Sequence, residues 1–277
     1  MIALSFSAVK VFFPENIVKF DNNLKDFMFK VRGPIDTNQT VLIVDIDEKS
    51  LRHLGQWPWA RNDVAVILEN LTNAGVGVIG LDIVFPEIDR TSPDLIAKKY
   101  KLESNNLPNY DEILAKTISQ TPTIMGYQFE LSDKLYSKKE PPSLPAVFIK
   151  KNIDSDFENY ELGSEYIIKA NGIIQNHDLL QNNSFSSGFF NNIPDESGIV
   201  RSVPLIIEYN DELFSSLALE VTRIALQEKK VVLNYTHLGI ENIQIGDFEI
   251  PTDRAGRLII NYRGAEKTFQ YISAIDI

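Results

Sequence analysis

Residues 41–85 read VLIVDIDEKSLRHLGQWPWARNDVAVILENLTNAGVGVIGLDIVF, and their hydrophobic spacing decides the fold class. The stretch opens on an apolar run, Val41 to Ile46, that ends in Asp47, Glu48, Lys49 and Ser50. Strands buried in the middle of a parallel sheet end in this way. After Gly55, Trp57, Pro58 and Trp59, the stretch from Arg61 to Ala74 places Val64, Ile67, Leu68 and Leu71 at i, i+3, i+4 and i+7. That spacing gives one apolar helix face, with Asn62 or Asp63 positioned to cap it. Gly75 stops the helix, and Val76 to Phe85 forms a second buried strand. The expectation is a β-α-β unit in which strands 41–46 and 76–85 run parallel, joined by a right-handed crossover.

Outward from this unit the pattern alternates again. Ser92, Pro93 and Asp94 form a helix start with proline in the first turn, and Asn105, Asn106 and Pro108 interrupt that helix. Asp111 to Ser119 returns to helical spacing, and Thr123 to Phe129 reads as a third strand. Residues 131–165, with Lys139, Glu140, Pro141, Pro142 and Pro145, lack periodicity and read as loop. Val200 to Tyr209 and Arg257 to Tyr262 read as strands, and Phe214 to Gln227 as a helix with Leu217, Val221, Ile224 and Ala225 on one face. Asp253 to Gly256 reads as a turn between strands. The fold class is α/β: a mixed sheet with a β-α-β core, helices packed on it, and an antiparallel C-terminal portion.

The chain has 277 residues and 44% hydrophobic content, enough for a sizeable core in a single domain. Its 38 acidic against 27 basic residues repel phosphate backbones, which disfavours nucleic acid as a partner. With no cysteine there is no disulfide, thiolate nucleophile or cysteine-ligated metal. His53, His177 and His237 lie far apart without ligand spacing, so the sequence offers neither a zinc site nor a cofactor. No Gly-x-Ser-x-Gly elbow and no phosphate-binding GxxxxGK[ST] loop is present. Met1 to Phe13 is apolar but too short to span a bilayer, and Tyr271 to Ile277 stops inside an apolar run. Both ends are expected to be cuts in a longer chain, with residues 1–23 a membrane-proximal entry segment and 24–277 the domain.

Four blocks carry a family resemblance. They are LKDFMFKVRGP at 24–34; Val41 to Arg61, with DIDEKSL and WPWAR; GLDIVFP at 80–86, with Asp89, Pro93 and Asp94 after it; and GFFNNIPDESGIVRSVPLIIEY from Gly188, leading to SLALEVTR at 216–223. Together with LIINYRG at 258–264 and then Phe269, Ile272 and Ser273, they resemble the type 2 CHASE domain, the cyclase and histidine-kinase associated sensory extracellular domain. Residues 131–187 match nothing specific and read as a variable region. The resemblance implies an extracytoplasmic, periplasmic sensor. It would be flanked by membrane helices and coupled to a cyclase, a kinase or a diguanylate cyclase. Beyond the resemblance, the expected partners are an unknown small molecule or periplasmic partner and a second copy in a homodimer; an assembly module in which dimerisation alone is the signal is the further alternative. No catalytic residue is implied in this part of the receptor.

The residues singled out for ligand binding or signal relay are Asp45, Asp47, Trp57, Trp59, Arg61, Asp82 and Arg201. Carboxyl ends of parallel strands are where α/β folds bind ligands, and most of this group falls there. The alternative is structural: Asp45, Asp47 and Asp82 neutralise Arg61 and tie the WPW loop to the sheet edge, the tryptophans fill packing space, and Arg201 forms an ion pair. An enzyme reading also exists. Asp45 and Asp47 share a strand face and, with Asp82 as third acid, match the start of a magnesium-dependent haloacid-dehalogenase-like phosphatase.

Overall fold

The computed structural model describes residues 14–38, 40–103, 106–132, 140–142, 146–163 and 165–277. The entry run Met1 to Phe13, Asn105, Lys139 and Pro145 lie outside the described residues. The chain divides into two compact units, Met1–Asp47 with Asn261–Asp276, and Glu48–Ile260 with Ile277.

The first unit holds the amphipathic helix α1 (Pro14–Arg32) and a two-stranded sheet of β1 (Leu42–Asp45) and β14 (Gln270–Ser273). These strands are parallel, with Leu42 opposite Gln270 and Asp45 opposite Ser273. The expected parallel pairing of 41–46 with 76–85 is therefore corrected: β1 takes its ladder partner from the far end of the chain. Apolar content specified that the run would be a strand, but not which of several apolar strands it would meet.

The second unit contains the parallel β-α-β arrangement, one step later than expected. It starts at β2 (Ile79–Leu81), crosses through α4 (Pro93–Tyr100) and α5 (Tyr110–Gln120), and returns in β3 (Thr123–Glu130), parallel to β2. Pro93 opens α4 after Ser92, as the sequence indicated. Asn109, which the sequence reading did not single out, caps α5 by accepting the Glu112 N–H at 3.1 Å. β6 (Ser186–Phe189) lies along the first part of β3 in parallel, and β5 (Gly172–Ile174) pairs antiparallel with its end. The short helix α2 (Glu48–Leu54), α3 (Arg61–Asn73) and the single turn α6 (Asp178–Gln181) complete this half.

A four-stranded sheet runs in the order β12 (Phe248–Pro251), β11 (Gly239–Ile245), β10 (Lys230–Thr236), β4 (Val147–Asn152). Its first three strands are antiparallel neighbours and β4 is parallel to β10. Strand β4 lies inside the stretch expected to be loop. Its exposed lysines, Lys150 and Lys151, mask the strand pattern and suit an edge position. The expected strand 200–209 is two, β7 (Ser202–Pro204) and β8 (Ile206–Tyr209); the expected helix from Phe214 begins only after β9 (Glu212–Ser215), as α7 (Leu217–Ala225). β13 (Arg257–Ile259) pairs antiparallel with β7. Mixed parallel and antiparallel pairing makes the fold α/β. Its core includes Val231, Leu233, Ile243 and Ile245 under one sheet and an aromatic group of Tyr127, Phe129, Phe189, Tyr209 and Phe214 under the other strands.

Candidate functional site

The WPWAR loop and the end of the GLDIVFP stretch converge on Phe85, which is fully buried. Trp57 meets Trp59 edge to face at 5.4 Å and Phe85 at 6.1 Å, and the Trp59 indole N–H donates to Gly55 O at 2.9 Å. The Arg61 guanidinium lies over the Phe85 ring at 4.0 Å. Asn176 accepts the Phe85 N–H at 2.8 Å and donates to Gly126 O at 2.9 Å, fastening the hub to β3. Trp59 is buried and Trp57 half-buried, so the tryptophans fill packing space here.

Arg61 is itself buried, and its acids are Asp89 and Asp111, not the expected Asp45, Asp47 and Asp82. Its Nε lies 3.7 Å from Asp111, and its backbone N–H donates to Asp89 at 2.7 Å. That backbone donor is one of the orphan N–H groups of the first turn of α3. The residue in the capping position is Ala60, whose side chain has no acceptor, and neither Asn62 nor Asp63 stands there. A carboxylate 28 positions downstream supplies the bond instead. Asp111 also accepts the Asp89 N–H at 2.8 Å, and Asp89 accepts from Thr91, so both buried acids are anchored. Burial lowers the Arg61 pKa, while Asp89 and Asp111 oppose that shift.

Asp45 and Asp47 belong to the β1–β14 pair: Asp45 is exposed, and Asp47 accepts the Ser273 hydroxyl at 2.6 Å. Asp82 is exposed too, although partial desolvation raises its pKa. Among the described residues no group of three His, Cys, Asp or Glu side chains is placed to hold a metal ion.

Arg201 pairs with Asp195 inside the turn at 195–198 and donates to the Ser197 hydroxyl at 2.9 Å. Gly198 closes the turn at φ +78°, its N–H donating to Asp195 O at 2.8 Å. The Ser197 hydroxyl above all, then Arg201 and the Ser197 and Ile199 amides, outweigh partial burial and hold the Asp195 pKa down to about 2. The Asp253–Gly256 turn closes in the same manner, with Asp253 accepting the Ala255 and Arg257 amides.

Two features were not singled out from the sequence. The Glu220 carboxylate is fully buried, where it accepts hydrogen bonds from Ser186 at 2.5 Å, Ser215 at 3.1 Å and Arg223 Nε at 3.0 Å, tying α7 to β6 and β9. The acid lay in plain view in SLALEVTR, but helical spacing marked only its apolar neighbours. The second is a shallow, open depression of about 360 Å³ at the end of β3, lined by Gln128, Phe129, Glu130, Leu131, Ser132, Ile174, Asn191 and Asn192. The Glu130 Oε2 beside it is buried, with no hydrogen-bond partner among the described residues.

In the first unit, the segment that follows α1 and the segment from residue 261 onward lie side by side. Arg32, at the end of α1, donates to Asn261 Oδ1 at 2.5 Å and to the Tyr262 carbonyl. The Ile35 N–H donates to Arg263 O at 2.7 Å, and the Thr37 hydroxyl to Thr268 O at 3.3 Å. The β1–β14 ladder continues this seam to Asp47 and Ser273. No described helix is long and apolar enough to cross a membrane.

No curated protein and no solved structure gives a significant match to the chain. A family model, the CHASE2 domain, matches residues 2–277. The chain belongs to the CHASE2 family of extracellular sensory domains.

Proposed function

We propose that this is the stimulus-input domain of a bacterial transmembrane receptor. It lies outside the cytoplasm between membrane helices and controls a cytoplasmic output such as a nucleotide cyclase, a histidine or Ser/Thr kinase, or a diguanylate cyclase. Family membership supports the sensory role. The observation that carries the relay is the seam joining residues 32–47 to residues 261–273 within one compact unit. Helix α1 runs into this seam at Arg32, and the segment from Asn261 returns along it. A change in its register or spacing moves α1 relative to the returning segment, which is what a two-state relay requires.

Two measurements test the reading. Reporter fusions at either end of this region in the parent protein should place it outside the cytoplasm; a cytoplasmic location sinks the proposal. A bridge across the seam, introduced as Thr37→Cys with Thr268→Cys in the otherwise cysteine-free domain, should fix output at one level whatever the stimulus. If bridged and reduced receptors respond alike, the relay does not run through the seam.

A further inference from the structure

The helix α1 presents its apolar stripe to solvent. Ile17, Phe20, Leu24, Phe27 and Val31 take the alternating three- and four-residue spacing of positions a and d in a heptad, with Met28 beside them. Phe20, Phe27, Met28 and Val31 are 61–70% exposed and Leu24 is 45% exposed. The opposite face, Asn22, Lys25, Asp26 and Phe29, is half-buried. An amphipathic helix in a folded chain ordinarily does the reverse, covering its apolar stripe and leaving the polar one wet. Among the described residues nothing covers the stripe at Phe20, Phe27, Met28 and Val31, on a helix about 28 Å long.

We propose that this seam is a homodimer interface in which α1 packs in parallel and in register against α1 of a second copy. The heptad spacing specifies a helical partner with a matching seam, and an identical chain supplies one. Area agrees with that occupant. A buried phenylalanine contributes roughly 150–250 Å², so at these exposures Phe20 and Phe27 offer about 250 Å² per copy. Leu24, Met28 and Val31 bring the stripe to about 500 Å², and two copies bury about 1,000 Å², the lower bound for a specific interface. Such a dimer is weak between free domains and strengthens when both copies are held at one membrane, where the second contact becomes intramolecular. The parallel order rests on the membrane reading, since two copies rooted in one bilayer present α1 in the same direction; the seam itself does not.

The absence of cysteine makes the test direct. Single substitutions Phe20→Cys, Leu24→Cys, Phe27→Cys and Val31→Cys, with Asn22→Cys, Asp26→Cys and Phe29→Cys as the opposite face, are oxidised in the 277-residue chain and inter-chain disulfide is quantified. Trapping captures weak dimers. Disulfide yield should peak at 20, 24, 27 and 31, at least about fivefold above 22, 26 and 29, with unchanged circular dichroism. A flat profile, or no trapping, overturns the proposal. So does a yield confined to Leu24→Cys with mixed Phe20→Cys and Phe27→Cys pairs, which marks an antiparallel seam, and so does co-flotation with anionic lipid vesicles without trapping, which gives the face to a bilayer surface. A cytoplasmic location in the fusion experiment would sink the receptor reading while leaving the trapping profile to stand or fall alone.

Discussion

Arg61 holds a positive charge where little water reaches it, and it persists there because two anchored carboxylates and an aromatic face surround it. Removing it leaves Asp89 and Asp111 buried without their cation. Arg61→Ala should therefore cost about 3–5 kcal/mol, the usual penalty for breaking a buried pair. Arg61→Lys should recover only part, because an ammonium lacks the planar stack on Phe85. Urea unfolding of both variants checks this; a loss below ~1 kcal/mol for the alanine would mean the acids find other partners. Asp195 tests the turn that holds Arg201. Its folded pKa of about 2 lies below the ~3.9 of an unfolded aspartate. A depressed carboxylate stabilises the fold fully above the unfolded value and loses that contribution as pH falls through the folded one. The turn should stay closed at about pH 4 and open only near pH 2. Because the Ser197 hydroxyl is the largest influence, Ser197→Ala should raise the Asp195 midpoint in a carboxyl NMR titration, and an unmoved midpoint would remove Ser197 from the account.

At the scale of elements, α7 shows how a helix is placed. Its apolar spacing was readable, and the helix is there, but its position depends on features without periodic signal. One is Gly188 in β6. A Cβ at that site would stand 2.6 Å from Leu217 Cα and 2.7 Å from Leu217 N, the first backbone atoms of α7. Backbone cannot swing aside as a side-chain tip can. Gly188→Ala should cost about 1–3 kcal/mol by overpacking, or force α7 outward. Calorimetry reads the first and loss of near-ultraviolet aromatic ellipticity the second; a melting temperature equal to that of the parent would show that the close approach is not required. Glu220 is the other feature, an acid inside the helix–sheet contact that is tolerable only because Ser186, Ser215 and Arg223 reach it. Its proximity, after burial, also raises the pKa of buried Tyr127.

For the whole molecule, the two compact units predict two classes of amide protection. β1 and β14 form a sheet of only two strands, an arrangement that is marginal alone, whereas β10 sits between β11 and β4. Amides of β1 and β14 should exchange at a common rate faster than those of β10 and β11, as one locally opening unit. Equal protection in both sheets would contradict this. The sequence by itself determined α3, α4, α5 and α7, the strands β1, β2, β3, β7, β8 and β13, the turn at Asp253, the mixed α/β class and, through its four motif blocks, the family, but no strand of the β12-β11-β10-β4 sheet. These properties are written in local periodicity, capping residues and the positive-φ demand of single glycines. Tertiary structure alone decided that β1 pairs with β14, that Asp89 and Asp111 serve Arg61, that Lys150 and Lys151 lie on a strand, and that the apolar stripe of α1 is left bare. Each depends on which distant segments of the chain meet, and which of many compatible surfaces do so is settled by the joint burial of the whole chain, on which local pattern carries no information.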